Sequence, residues 1–230
     1  MHIIKFRIID RLLKKIYDNR RSDSLASELR KRRIIFLESL ITSIQTPLKI
    51  LDVGGRPVFW KESGFFKTQN FRELEITFIN IEQLDEQEFL CITGDAKNMN
   101  QFKNQEFDVV FSNSVIEHVG DYKDQHQMAN ELRRVGKRYF VQTPNLYFPV
   151  EPHFLFPFFQ FLSIDIRVWL LTHFNMGWYP KMTDEQEART LVTQTRLLSK
   201  TKLVNLFPEA TIYEEKIFGL TKSLIAYYGW

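Results

Sequence analysis

The sequence predicts an α/β fold, in which a doubly wound and mostly parallel sheet carries helices on both faces. Three observations support this prediction. Short apolar segments alternate with helical patterns from residue 48 to residue 145. Glycine or polar residues follow the apolar segments, as they do at the carboxyl ends of strands in such sheets. Hydrophobic residues make up 44% of the 230 residues, which is enough for one domain with a substantial core.

The first 46 residues are predicted to form a helical cap before an α/β domain of residues 47–230. Apolar residues at helical spacing over 3–17, with basic residues among them, predict an amphipathic basic helix. This helix packs on the core or lies on an anionic membrane surface, and the pattern leaves both alternatives open. A second helix is predicted over 25–44. Its charge run, 30–33, predicts a solvated face, with an anionic ligand as the alternative.

Strands and helices alternate through the next hundred residues. Runs of β-branched and aromatic residues predict the strands, and a capping residue such as Asp121 predicts where a helix begins. The predicted strands are residues 48–53, 75–81, 89–93, 107–112 and 138–142. The predicted helices are residues 58–67 and 121–135. Thr143 and Pro144 are expected to interrupt the fifth strand.

The alternation stops after the fifth strand, where residues 146–198 are predicted to form an aromatic helical insertion. Its first part, 148–162, contains three prolines and is too broken for a long helix. Thr183 and Gln186 are a predicted capping box for one helix of the insertion. The later predicted elements are helices over 164–174, 184–198 and 199–207 and strands over 211–216 and 223–228. The aromatic residues form either the core of the insertion or a lid over an apolar substrate; they are Phe148, Phe154, Phe156, Phe158, Phe159, Phe161, Trp169 and Trp178.

Small and polar residues follow the first four predicted strands, and parallel strands bring such residues to one edge of the sheet. Glycines after the first strand allow the main chain to approach a ligand closely. Acidic and amide groups accept hydrogen bonds from ribose hydroxyls, so the set suits an adenosine-containing ligand. The candidate binding residues are Asp52, Gly54, Gly55, Asn80, Glu82, Asp95, Ala96, Ser112 and Asn113.

These motifs resemble those of class I S-adenosylmethionine-dependent methyltransferases, within the broad type 11 group that includes ubiquinone-pathway enzymes. The motifs are ILDVGG (50–55), FINIE (78–82), GDA (94–96), FDVVFSNSVIEHV (107–119) and YFVQTPN (139–145). The resemblance implies a Rossmann-like, seven-stranded, mostly parallel sheet with the last strand antiparallel. It also implies S-adenosylmethionine as cofactor and methyl transfer as the activity. The alternative is an inactive regulatory or scaffold protein that binds the same cofactor.

The resemblance further implies a role for each candidate binding residue. Three pairs would surround the methionine part, the adenine and the sulfonium, respectively: Asp52 with Gly54, Asp95 with Ala96, and Ser112 with Asn113. The usual acidic ribose ligand falls at Asn80, and Glu82, two residues later on the same strand face, is slightly favoured to replace it. A dinucleotide dehydrogenase is the competing interpretation, but the turn at 52–57 lacks the third glycine of that motif.

Two histidines are the candidate catalytic groups. His118 follows the fourth strand and is the best-placed general base, with His153 second, while a structural turn residue is the alternative for His118. Some related O-methyltransferases carry Glu-x-x-Glu-His for a metal, and Ser114 stands here in place of the first acid. Because Glu117 and His118 alone make a poor site, the sequence predicts no metal.

Charge and hydropathy restrict the partners. Residues 1–46 hold 11 Lys and Arg against 5 Asp and Glu, so the overall charge of +3 leaves −3 on the remainder. This distribution argues against a nucleic-acid partner. The proline-broken aromatic segment, together with the basic N-terminal arm, suggests an amphiphilic substrate, so the predicted acceptor is a small molecule or a lipid-linked compound. No apolar run of about 18 residues is present, so the predicted location is cytoplasmic, with peripheral contact at the inner membrane face as the further alternative.

Overall fold

The computed structural model describes residues 24–45, 47–63, 65 and 74–230. The predicted amphipathic helix over 3–17 lies outside the described residues. The strands, in chain order, are β1 (Leu48–Val53), β2 (Leu74–Asn80), β3 (Leu90–Thr93), β4 (Val109–Asn113), β5 (Tyr139–Pro144), β6 (Val150–Glu151), β7 (Phe156–Pro157), β8 (Thr211–Ile217) and β9 (Leu220–Tyr228). The helices are α1 (Leu25–Ile41), α2 (Pro57–Ser63), α3 (Tyr122–Val135), α4 (Ile164–His173), α5 (Glu185–Gln194) and α6 (Lys200–Leu206).

Seven strands form one sheet in the order β3-β2-β1-β4-β5-β9-β8, and β6 and β7 form a separate hairpin. β1 pairs in parallel with β2 and β4, and the strand pairs β2–β3 and β4–β5 are also parallel. The last strand, β9, is antiparallel to both β5 and β8. The predicted seven-stranded, mostly parallel sheet with an antiparallel last strand is confirmed. Its carboxyl edge, where the parallel strands end, is the edge at which such sheets bind ligands.

Two apolar clusters cover the two faces of the sheet. On one face, Ile34 and Leu37 of α1 pack with Leu48 of β1 and with Trp60 of α2. On the other face, residues of α3 and α6 such as Leu132 pack against the same strands. Helices on both faces make the sheet doubly wound, as the alternation of segments predicts. Because α1 shares a core with β1, it is packed directly on the α/β body; the domain boundary at 46/47 stays a prediction.

Two local predictions are wrong. β5 continues through Thr143 and Pro144, which pair with Leu224 and Ser223 of β9. An extended backbone accommodates the φ angle of proline. Because Pro144 is the final residue of β5, it does not interrupt the strand. The capping residue of α5 is Asp184, which accepts hydrogen bonds from the first turn, and not Thr183. An ionised aspartate at this position also interacts favourably with the helix dipole.

The charge run 30–33 is not uniformly solvated as predicted, because Arg33 is buried. Its guanidinium donates two hydrogen bonds to Glu215 of β8, at 3.0 and 2.6 Å, and one to the side chain of Gln142. It also donates to the side chain of Asn113. The paired carboxylate compensates for much of the cost of burying this charge. α1 is therefore fastened to the carboxyl ends of three strands.

The insertion of residues 146–198 has an apolar core of its own. Phe154 and Phe159 stack there with ring centroids 4.2 Å apart, and Leu171 of α4 and Val192 of α5 complete the cluster. Four of the eight aromatic residues singled out above are instead exposed by 40% or more: Phe158, Phe161, Trp169 and Trp178. Some aromatic side chains of the segment thus form the core of the insertion, and others lie at its surface, so both predicted roles of the segment stay open.

No helix in the described ranges is both long and apolar enough to cross a membrane.

Candidate functional site

A cavity of about 300 Å³ lies at the carboxyl edge of the sheet, between the ends of β1, β2, β3 and β4. Five of the predicted site residues line it: Gly54, Asn80, Asp95, Ala96 and His118. Ile79, Val115 and Val119 supply apolar wall. The cavity combines apolar surface with a few polar groups, as small-molecule sites usually do. The sequence prediction that separate strand ends meet at one site is therefore consistent with this geometry.

The turn after β1 brings the main chain against the cavity. Gly54 has φ +80°, a left-handed conformation that a side chain disfavours, and its N–H donates to the carbonyl of Ile79 at 2.8 Å. A Cβ at this position would lie 2.6 Å from Val115, which also lines the cavity. Glycine is required here both by the backbone and by the space.

Asp52 lies behind this turn and is not part of the cavity wall. One carboxylate oxygen accepts a hydrogen bond from the indole of Trp60 at 2.6 Å, and the other has no hydrogen-bond partner among the described residues. A Cβ at Gly55 would collide with this carboxylate, so Gly55 serves the packing of Asp52. Burial raises the pKa of Asp52 from 3.8 to about 7, against the opposing hydrogen bonds from Trp60 and Gly55.

Asn80 and Glu82 differ in position. Asn80 lines the cavity, and its amide nitrogen donates to the carbonyls of Gly54 and Gly55 at 3.2 and 3.1 Å. Glu82 follows the end of β2, so it does not share a strand face with Asn80 as predicted. Its carboxylate is exposed and forms an ion pair with Arg56. The geometry favours Asn80 over Glu82 as the group beside a bound ligand.

The predicted adenine pair lies opposite, after β3. Asp95 and Ala96 both line the cavity, and one Asp95 oxygen accepts the N–H of Lys97 at 2.9 Å, which fixes the turn. The Lys97 ammonium lies 3.2 Å from Asp124 of α3. This loop is thus held by α3, and the second carboxylate oxygen of Asp95 is not occupied by a short hydrogen bond.

The last predicted pair lies below the cavity. Ser112 is fully buried, and its hydroxyl donates to the carbonyl of Val53 at 3.1 Å. Asn113 accepts from Arg33. Both side chains therefore hold strand ends together, and the adjoining Ser114 lines the cavity instead, with its hydroxyl donating to Gln142 at 2.9 Å.

Two histidines meet beside the cavity, which His118 lines, although 35 residues separate them in sequence. The Nε2 atoms of His118 and His153 are 3.0 Å apart, and the rings are nearly perpendicular. His153 comes from the insertion, and its Nδ1 lies 2.6 Å from a carboxylate oxygen of buried Glu151. The fully buried carboxyl of Glu117 lies beside the pair.

The electrostatics of the two rings differ. The side chain of His118 is solvent-accessible, but the protein around the ring desolvates it, and this desolvation, followed by the neighbouring His153, lowers the pKa of His118 from 6.5 to about 4. This ring is therefore neutral at physiological pH. Burial acts to lower the pKa of His153 as well, but the hydrogen bond and charge of Glu151 outweigh it and raise that pKa overall. Burial also raises the pKa of Glu117. Strongly shifted groups clustered beside a cavity are typical of functional sites.

Two residues of this cluster were not predicted as site residues from the sequence: Glu151 and, in its structural role, Glu117. Glu151 precedes His153 by two residues, and this Glu-Pro-His spacing was the available signal. Its carboxylate accepts the backbone N–H groups of His153 and Phe154, both at 2.8 Å, and thereby shapes the loop that presents the histidine. Only the folded insertion reveals that this loop meets His118.

Comparison with known proteins agrees with this geometry. Residues 70–139 match the family model described as a methyltransferase domain. No curated protein sequence matches the chain. The matched region spans β2 to the start of β5 and therefore includes the Asn80, Asp95 and His118 side of the cavity.

Solved structures share the fold at low sequence identity. The carbon methyltransferase CurJ is 14% identical, with a TM-score of 0.55 and coverage of 89% of this chain and 55% of that chain. An S-adenosylmethionine-dependent methyltransferase from Archaeoglobus fulgidus is 14% identical, with a TM-score of 0.50 over 86% of this chain and 94% of its own. One from Aquifex aeolicus is 12% identical, also with a TM-score of 0.50, over 95% and 96%. The resemblance drawn from the sequence motifs is confirmed.

Proposed function

We propose that this chain, which carries a methyltransferase domain of the class I fold, transfers a methyl group from S-adenosylmethionine to a small-molecule or lipid-linked acceptor. The observation that carries the proposal is the cavity at the carboxyl edge, where Gly54, Asn80 and Asp95 from three strand ends converge. His118 lines the same cavity, where it would lie beside a bound acceptor.

The residues present fit the cofactor. Gly54 leaves the main chain open where a Cβ would displace Val115, which suits close approach of an amino-acid moiety. Asn80 and the second carboxylate oxygen of Asp95, which lies 3.8 Å from the Lys97 ammonium, are hydrogen-bonding groups for ribose and adenine. Ile79 and Val119 offer apolar contact to a ring. The cofactor supplies an electrophilic methyl group to the acceptor.

The chain's own contribution to methyl transfer is alignment and exclusion of water. In-line displacement depends on holding the acceptor atom opposite the methyl group, and fixed geometry supplies much of the rate gain. The β1 turn and the β3 loop line part of the cavity, and His118, which contacts His153 of the insertion, lines another part. His118 and His153 are the groups placed to act on the acceptor.

Calorimetric titration of the full chain with S-adenosylmethionine and with its demethylated product tests the proposal. We expect one binding site for each ligand in the wild type. Gly54→Ala should weaken binding at least about tenfold, because the added Cβ forces Val115 to shift and narrows the cavity. A tenfold loss corresponds to only about 1.4 kcal/mol of binding free energy. Gly219→Ala is the matched control, since Gly219 also has φ +80° but nothing within 4 Å of the added Cβ.

Each outcome decides between the candidate functions. Absence of binding to the wild type, or equal loss in both glycine variants, would contradict the cofactor site. Binding without labelled methyl transfer to aqueous or lipid fractions of a cell extract would favour the inactive regulatory alternative. Transfer to a product in either fraction would support the enzyme and identify the acceptor.

The acceptor side favours an amphiphilic molecule. Phe158 and Phe161 of the insertion are more than half exposed, and Phe218, in the turn between β8 and β9, is 99% exposed. Phe158 has φ +57°, a conformation that costs energy in a residue with a side chain. Exposed aromatic groups that leave the carboxyl edge suit contact with a lipid-linked acceptor or a membrane surface. A nucleic-acid acceptor is disfavoured by the net charge of −3 over 47–230.

A further inference from the structure

We propose that Glu117, His118 and His153 bind a divalent transition-metal ion beside the cavity. One carboxylate oxygen of Glu117 and a ring nitrogen of each histidine lie within 4.8 Å of one another. The prediction of no metal assumed two donors, Glu117 and His118. That premise is wrong, because the insertion supplies a third donor from a different part of the chain.

The facing ring nitrogens suit a shared ion. The Nε2 atoms of His118 and His153 are 3.0 Å apart. Two nitrogens each about 2.0–2.1 Å from one tetrahedral zinc ion lie about 3.3 Å apart, a few tenths of an ångström more than the separation seen here. Small movements of the rings would therefore be enough to admit an ion between them.

Glu117 provides an independent observation. The carboxyl group is fully buried, yet one of its oxygens has no hydrogen-bond partner among the described residues. The other oxygen accepts from the hydroxyl of Thr143 at 3.0 Å, which holds the carboxyl in place. An unpartnered buried carboxylate oxygen is costly, and a cation is the ligand that would satisfy it.

Glu151 orients the histidine from the insertion. Its carboxylate oxygen lies 2.6 Å from Nδ1 of His153, so this nitrogen carries the proton and donates. The Nε2 atom of a neutral His153 then presents a lone pair toward His118. Metal-binding histidines commonly donate their other N–H to a carboxylate in this way. Glu151 is therefore a positioning residue rather than a ligand.

The donor types select the ion. Two imidazoles and one carboxylate suit zinc, cobalt, nickel or ferrous iron better than magnesium, which prefers oxygen ligands. Three protein donors leave at least one coordination position open, as in catalytic sites. His118 lines the cavity, so an ion held by this histidine would lie at the cavity wall. The role we assign to it rests on the proposed function: it would coordinate an oxygen of the acceptor, so the acceptor would bear a hydroxyl group.

Metal titration of the tag-free full chain, stripped with a chelator, tests the site. We expect one equivalent of Zn²⁺ by calorimetry and of Co²⁺ by its visible absorption, and much weaker binding of Mg²⁺. His118→Ala, His153→Ala and Glu117→Gln should each weaken Zn²⁺ binding more than Glu151→Gln, for which a loss of about 10–100-fold is expected. His126→Ala is the matched control, because His126 is an exposed histidine of α3 that bonds only Asn130.

Two results would overturn the proposal. One is no saturable binding of Zn²⁺ or Co²⁺ at millimolar concentration. The other is unchanged affinity in His118→Ala and Glu117→Gln, both checked for folding by circular dichroism. His118 is exposed, so its variant is expected to fold even if His153→Ala does not. Cofactor binding is measured separately, so failure of the metal site leaves the methyltransferase proposal standing, and the converse also holds.

Discussion

At the scale of single residues, Asp52 shows that a motif position can serve the fold rather than the ligand. Its carboxyl is enclosed between Gly55 and Trp60, out of the cavity, with one oxygen unpartnered. Burial disfavours the ionised form and raises its pKa from 3.8 to about 7. The free energy of unfolding must therefore depend on the ionisation of this group.

The sign of that pH dependence follows from comparing the protonation of Asp52 in the folded and unfolded chains. In the unfolded chain Asp52 loses its proton near pH 3.8, whereas in the folded chain it keeps the proton up to about pH 7. Raising the pH through this window therefore favours the unfolded state, by on the order of 4 kcal/mol if the full shift applies. Asp52→Asn should remove this fall in stability. The unfolding free energy of the variant minus that of the wild type should therefore increase from pH 4 to pH 7. Urea unfolding at several pH values checks it, and parallel curves for both proteins would contradict it.

At the scale of elements, one side chain fastens α1 to the sheet. Arg33 is 7% exposed and bonds Glu215 of β8, Gln142 of β5 and Asn113 of β4. Glu215 also accepts from Ser223 of β9. Four strand ends at the carboxyl edge are thus joined to the N-terminal helix through one network. Removing a single partner would leave a buried charge without compensation.

Arg33→Met is expected to lower the free energy of unfolding by about 3–5 kcal/mol, since the carboxylate of Glu215 would stay buried and unpaired. Arg32→Met is the matched control on the same helix. Among the residues that the structure describes, Arg32 pairs with Glu28 on the exposed face, and such pairs contribute about 0.3–0.5 kcal/mol. Denaturant unfolding measures both, and the double variant Arg33→Met/Glu215→Leu should recover part of the loss. Equal effects of the two arginine substitutions would refute the role of the network.

At the scale of the whole molecule, the carboxyl edge carries both the cavity and the exposed aromatic side chains. Phe158 and Phe161 belong to the insertion that leaves β5, and Phe218 belongs to the turn after β8. Leu90 is also exposed but begins β3, at the opposite edge. The molecule therefore presents exposed aromatic side chains at the edge that holds the cavity, where the proposed acceptor would bind.

Flotation with vesicles of phosphatidylcholine and phosphatidylglycerol tests whether this edge contacts a membrane. Phe158→Ser/Phe161→Ser should lower the bound fraction at least about tenfold, because burying a phenylalanine contributes about 1.5–3 kcal/mol. Leu90→Ser should bind as the wild type does. If the wild type stays unbound, or if the double variant floats equally well, the membrane proposal fails.

Much of the fold was predictable because the determining signals are local. The apolar run of β1 and the cap at Asp121 of α3 are readable from a few neighbouring residues. Side-chain partners depend on tertiary packing and were not readable. The burial of Arg33 requires Glu215, which lies 182 residues away, and the meeting of His118 with His153 requires the folded insertion. The convergence of strand ends followed from topology, whereas the direction of Ser112 and Asn113 did not.

The separate apolar core of the insertion has an evolutionary consequence. Since Phe154, Phe159 and Leu171 pack mainly among themselves, the segment can accumulate substitutions or be exchanged for another without loosening the sheet beneath. Under the proposed function, preference for the methyl acceptor would then diverge between descendants while donor recognition is inherited unchanged. A graft of the insertion between such descendants would have to retain Glu151 and His153, because His153, oriented by Glu151, contacts His118 of the α/β body.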